Sequence, residues 1–153
     1  MTPVILLEAL KETAGNATQN LELQVKGGER RSPGVYLMQL PDKDQETELV
    51  PYILLQLLTG KDDILTGKDP ESECRIRIVV VTYADDAGVG AMDVLNVLIR
   101  LRTELSRSGQ LADQFLLRHP LEYIVYPDDT GSYHLGEMMT IWEIPSVTRE
   151  LDY

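Results

Sequence analysis

The spacing of apolar and polar positions changes along the chain, and the changes predict its elements. In MTPVILLEALKETAG, Val4, Leu7, Leu10 and Lys11 fall at helical steps. Thr2 suits the N-cap, Pro3 the first helical position and Gly15 the stop. A weak strand is predicted at 20–25, a loop at 27–34 (GGERRSPG) and a strand at 35–40 (VYLMQL). The charged stretch 41–49 reads as a loop or edge. PYILLQLLT, 51–59, is apolar on both faces and predicts a central strand, with Pro51 allowed only as its first residue.

The second half is more sharply patterned. RIRIVVVTY, 75–83, is β-branched through its middle and predicts a buried strand. ADDAGVGA follows as a loop. From 92 to 107, Leu95, Leu98, Leu101 or Arg102, and Leu105 recur at helical steps, with Asp93, Asn96, Arg100 and Glu104 opposite, and Gly109 ends the helix. A linker or short helical turn at 110–118 leads to a strand at 121–126, a PDDTGS turn and a last strand at 133–144, closed by Pro145. The tail after it is polar. Strands outnumber crossovers, so the expected class is α+β: a mostly antiparallel sheet with two main helices packed on one face, in a single domain over 1–153.

On the last strand Tyr133, Leu135, Glu137, Met139 and Ile141 share one face, and Met138, Trp142 and Ile144 the other. Both faces are largely apolar. One small helical layer covers only one of them, so the other is expected to meet a partner, most simply another copy of the chain.

Composition narrows the picture. The chain has 153 residues, 43% hydrophobic and 25% charged, which suits one globular domain. No apolar run is long enough for a membrane helix, and the N-terminus lacks a secretory pattern. The protein is therefore expected to stay in the compartment where it is made. The single Cys74 has no partner for an internal disulfide and fits a reducing cytoplasm. With 25 acids against 14 bases the net charge is −11, which disfavours grip on phosphate backbones and anionic membranes.

Candidate chemistry was weighed residue by residue. Asp128, Asp129, His134 and Glu137 crowd into ten positions. On a strand, the odd spacing of His134 and Glu137 points them to opposite faces, so they cannot share an ion. His119 falls opposite about Thr140, roughly 20 Å from His134 at about 3.3 Å per residue. Asp128 and Asp129 suit a turn. Asp85, Asp86 and Asp93 form a second acidic group, but a two-metal nuclease site also needs phosphate-holding bases nearby, and those loops lack them. Acids before a helix are explained by its N-terminal dipole.

LTGKD occurs at 58–62 and again at 65–69. Both copies fail the phosphate-loop pattern. Before Gly67 the required glycine is Asp62, and Asp69 follows Lys68; around Gly60 and Lys61 those places hold Leu55 and Asp62. The repeat reads as a flexible polar connection. Gly88 and Gly90 follow a strand and open a helix, but the third glycine of a dinucleotide fingerprint is Asp93. No nucleophile motif is present, and Cys74 reads as an inert thiol. No catalytic, cofactor or metal site is expected.

Three blocks carry a family resemblance: VPYILLQLLTGKDD (50–63), RIRIVVVTYADDAGVGAMDVLNVLIRLRTEL (75–105) and HPLEYIVYPDDTGSYHLGEMMTIWEIP (119–145). Together they resemble the tail terminator (tail completion, minor tail) proteins of long-tailed bacteriophages and prophages. The stretch Y-x-L-G-E-M-x-T-x-W-E-I-P is the most specific. The resemblance implies a small α+β protein that assembles into a ring, usually a hexamer. That ring caps the tail tube, offers a docking surface to the filled head and does no covalent chemistry. Its implied partners are itself, the tail tube protein and a head-completion or connector protein. DNA passes through the lumen without specific binding. Its place is the head-proximal end of the virion tail, assembled in the host cytoplasm. Asp85, Asp86, Asp128, Asp129, Glu137 and Trp142 are the candidate interaction or lumen-facing residues. The alternatives are another head–tail connector or neck protein, a small metal-dependent nuclease, or a nucleotide-binding protein.

Overall fold

Period-two burial and 3.6-residue burial divide the chain cleanly in the computed structural model, which describes residues 2–41, 47–64, 70–127 and 131–146, with the Ser108 side chain excepted. The elements are α1 (Thr2–Thr18), β1 (Gly34–Leu37), β2 (Tyr52–Asp63), β3 (Glu71–Tyr83), α2 (Ala87–Ser108), β4 (Gln110–Leu111), β5 (Phe115–Val125) and β6 (Tyr133–Ile144). Six strands form one sheet in the order β1-β2-β3-β6-β5-β4. β1 pairs parallel with β2; the other pairings are antiparallel. The fold is α+β, as the pattern predicts.

The helices lie on one face. In β3, Ser72, Cys74, Ile76, Ile78, Val80 and Thr82 are buried, and in β6 His134, Gly136, Met138, Thr140 and Trp142 are buried. Register puts these rows side by side: Cys74 beside Trp142, Ile76 beside Thr140, Ile78 beside Met138. Val94, Val97, Leu98, Leu101 and Leu105 of α2 close over them, and Leu6, Leu7 and Leu10 of α1 join the same core beside α2, over β1 and β2. Aliphatic burial of this kind stabilises by about 25 cal/mol for each Å² removed from water. The buried hydroxyl of Thr140 is satisfied on both sides. It donates to Ile76 O at 2.9 Å and accepts from Trp142 Nε1 at 2.9 Å.

Two glycines set the helix-to-sheet distance. A Cβ on Gly136 would stand 2.4 Å from Val94 Cγ1 and 3.1 Å from Leu98 Cδ1. A Cβ on Gly90 would stand 1.9 Å from His134 Cδ2. Both positions therefore require hydrogen in place of a side chain, and α2 sits close against β6.

Several boundaries differ from the sequence expectation. α1 runs through Gly15 to Thr18, whose Oγ1 donates to Ala14 O at 2.8 Å. Its buried stripe is Leu6, Leu7, Leu10 and Ala14, while Val4 and Lys11 are exposed. Gly15 costs the helix about 1 kcal/mol, and packing on either side of it outweighs that cost. The expected strand at 20–25 reduces to a single bridge, Leu23 with Arg31. Arg31 instead fastens the approach to β2, donating to Leu49 O at 2.6 Å and Pro51 O at 3.1 Å.

β2 lies second from the sheet edge rather than at its centre, and continues through the first LTGKD copy to Asp63. That copy is strand, not flexible connection: Gly60, Lys61 and Asp62 pair with Cys74, Glu73 and Ser72. The second copy lies outside the described residues.

α2 starts at Ala87, with Asp86 as its N-cap accepting from Gly88 N at 2.8 Å and Val89 N at 3.1 Å. Gly88 and Gly90 are thus the first helical turn, not a loop. Gly109 caps the other end in a left-handed conformation, φ 66°. The expected linker at 110–118 is instead a tight hairpin. Ala112 and Asp113 both have positive φ, Gln114 N donates to Leu111 O at 3.2 Å, and β5 is already running at Phe115. Two successive left-handed residues are the geometry of a type I′ turn. β6 has the predicted bounds.

Candidate functional site

The second face of the sheet carries the site candidates, since no helix covers it among the described residues. Alternation fixes its members. From β3 come Arg75, Arg77, Val79 and Val81; from β6, Leu135, Glu137, Met139 and Ile141; from β2, Leu54 and Gln56; from β5, Glu122 and Ile124. Leu135 is 37% exposed and Ile124 48%. A shallow groove of about 440 Å³ runs along this face, lined by Tyr52, Leu54, Arg77, Val79, Val81 and Leu135. The helix-free face thus mixes apolar residues with charged ones, among them Glu73, Arg75, Arg77, Arg118, Glu122, Glu137 and Glu143.

Five of those charges are paired: Arg77 with Glu137, and Arg118 with Glu73 and Glu143. Arg77 Nη2 donates to Glu137 Oε1. The two residues are diagonal neighbours, because Arg77 stands opposite Met139 and Glu137 opposite Val79. Glu137 also takes a hydrogen bond from Tyr126. Partial burial, then that bond and the carboxylate's charge, raise the Tyr126 hydroxyl above its ordinary pKa. Nearer the far end, Arg118 lies 3.8 Å from Glu73 and 3.5 Å from Glu143. Pairing keeps these ions at home on an apolar surface, where each alone would be costly to cover.

His134 and Glu137 stand on opposite faces, as their spacing predicts. His134 is buried under α2, its Nε2 3.3 Å from Ala84 O. His119 sits in the β5 irregularity between Arg118 and Glu122, opposite the Ile141–Met139 segment and far along the strand from His134. Among the described residues no group of three His, Cys, Asp or Glu side chains could hold a metal ion. Asp128 and Asp129 lie outside the described residues.

The remaining candidates separate. Asp85 is exposed and accepts from the Tyr83 hydroxyl at 2.8 Å; that bond, more than partial burial, raises the tyrosine's pKa. Tyr83 in turn packs edge-on against Tyr133, ring centres 5.4 Å apart. Asp86 is used as the helix cap. Trp142 is withdrawn as a surface candidate: its side chain is 1% exposed and bonded within the core. Asp93, where a dinucleotide motif needs glycine, has its carboxyl pKa raised by partial burial, against the lowering influence of Arg30 and His134. Cys74 is fully buried, and desolvation, with Glu73 adding to it, pushes its thiol up to about 11. A thiol so protonated is a poor nucleophile.

Sequence reasoning missed Arg77 as the partner of Glu137. The two lie 60 residues apart, and only β3–β6 register brings them together. Alternation within each strand places both on one face, but not at one site.

Among the described residues no helix is long and apolar enough to cross a membrane. No protein-family model matches the chain, and no curated protein matches it. One solved structure aligns over 94% of this chain and 92% of its own at 14% identity, with a TM-score of 0.47. At that level the likeness carries no functional argument.

Proposed function

We propose that this chain is a structural assembly protein: a tail terminator of a long-tailed phage or prophage, whose copies form a ring on the end of the tail tube. The observation that carries the reading is the helix-free sheet face. It presents Leu54, Leu135, Met139, Ile141 and Ile124 around paired charges, and apolar surface of that extent is suited to meeting another protein. The three blocks resembling the family contain β2, β6 and most of β3 and β5, the strands that build this face.

The reading gives the chain no covalent chemistry. The tube protein and a head-completion protein are its partners, and DNA moves past it. A net charge of −11 suits that passage, since a surface that neutralises few phosphates gains little from binding them. Exposed Asp85 is the described acid that best fits a lumen position, and Asp128 and Asp129 belong to the same proposal.

Two measurements test this together. Light scattering across rising concentration reports self-association, and electron microscopy of tail tubes mixed with the protein reports capping. The expected result is a closed oligomer, in solution or on the tube end. A chain that stays monomeric in solution and leaves tubes undecorated overturns the reading.

A further inference from the structure

The sheet has two unlike outer edges, and among the described residues both are open. β4 covers only the start of β5, through Leu111 with Phe115 and Gln110 with Leu116, and Leu117 N is taken by Gly109 O at 2.8 Å. From there to Val125 no strand pairs the outer side of β5 among the described residues. Pro120 has no N–H to offer, which leaves 121–125 as the usable run. At the opposite end β1 pairs inward with β2 and, among the described residues, with no strand outward.

Each edge carries the complement of the other. Tyr123 stands opposite Met138, which places it on the helix side of the sheet, and it is 43% exposed. Beside β1, also on the helix side, the flank of α1 overhangs an open groove of about 790 Å³. Ile5, Ala9 and Gly15 of α1 and Pro33 and Val35 below them line it together with the polar Glu8, Lys11, Glu12 and Asn16, and Ile5 is 46% exposed. Val35 pairs with Ile53, so it points to the same side as Tyr123 does at the far edge. A strand added to β1 would run under this overhang with its alternate side chains in the groove.

We propose that copies of the chain join head to tail through these edges: segment 121–125 of one copy adds to β1 of the next, with Tyr123 seated under α1. Leu121 and Val125, partly buried against their own core and on the same side, flank the ring along the strand. Because the two edges differ, the contact is heterologous, and its repetition closes into a ring when the rotation allows. This rests on the ring reading and specifies its copy-to-copy contact. It leaves the helix-free sheet face for the tube or the head.

The test uses Tyr123→Lys and Ile5→Lys, both at exposed positions, with Met92→Lys at an exposed position of α2 as control. Native mass spectrometry and light scattering read the assembly state. Each edge variant alone is expected to lose ring formation, while Met92→Lys keeps it. Mixing the two edge variants is expected to restore one intact contact and give 1:1 dimers that grow no further. If the wild type forms rings and both edge variants still do, the edge contact is overturned and the ring reading stands. If the wild type itself never associates, in solution or on tubes, both fall.

Discussion

Gly90 and His134 occupy adjoining volumes that leave no room for a methyl group: a Cβ at position 90 would lie 1.9 Å from His134 Cδ2 and 2.4 Å from Cγ. The ring cannot swing clear, since even its root is too close. Gly90→Ala should therefore destabilise by roughly 1–3 kcal/mol through overpacking, although alanine normally favours a helix over glycine by about 1 kcal/mol. Urea titration measures the change. Gly88→Ala, at a position whose Cβ would meet only Asp86 Oδ1 at 3.2 Å, should cost less.

The Arg77–Glu137 pair should show coupling that salt weakens. Both side chains keep some solvent contact, 36% and 20%, so a double-mutant cycle with alanine should return only about 0.5–1 kcal/mol. Raising ionic strength should reduce the value. A coupling of zero at low salt would mean the pair contributes nothing to the face.

Cys74 gives the chain an alkaline weakness. Its folded pKa, about 11, lies above the ordinary 9.0, so the folded state holds the thiol proton more tightly than the unfolded chain does. The stabilisation is complete below 9 and is lost as pH rises towards 11, at about 1.4 kcal/mol for each pH unit between them. Comparing wild type with Cys74→Ala by denaturant titration at pH 8 and 10.5 isolates the effect. The wild type should lose more stability over that interval. In the native protein at pH 8 a thiol reagent should react slowly, then at one group per chain after unfolding.

Asp86→Ala removes the acceptor for Gly88 N and Val89 N and should cost about 1 kcal/mol, with Asp86→Asn recovering most of it. Asp85→Ala, which removes only an exposed bond to Tyr83, should leave stability nearly unchanged. Thermal melts separate the two. An equal effect would contradict the capping assignment.

How far the sequence could be read depends on which signals were local. The opposition of His134 and Glu137 follows from strand alternation, and β6 announces itself by its β-branched and aromatic run between a glycine turn and Pro145. The start of β5 was hidden. Its turn uses Ala112 and Asp113 at positive φ, where glycine or asparagine would have flagged the geometry. The start of α2 was hidden for the opposite reason: Gly88 and Gly90 look like a loop, and Gly90 is needed only because His134, far away in sequence, lies against it. Trp142 looked like surface because both faces of β6 are apolar. Which face the helices cover is a tertiary fact, settled by Gly136 beneath Val94 and Leu98 rather than by the strand's own pattern. Glu137's partner required the same long-range register.

The paired glycines have a mechanical meaning. Gly90 meets His134 near the start of α2, and Gly136 meets Val94 and Leu98 one and two turns on, so helix and strand are keyed together at successive points. A helix held in this way cannot slide or roll independently of β6. In the ring we propose, elements keyed in this way would have little conformational freedom left to lose on assembly, so more of each new contact would be retained as binding.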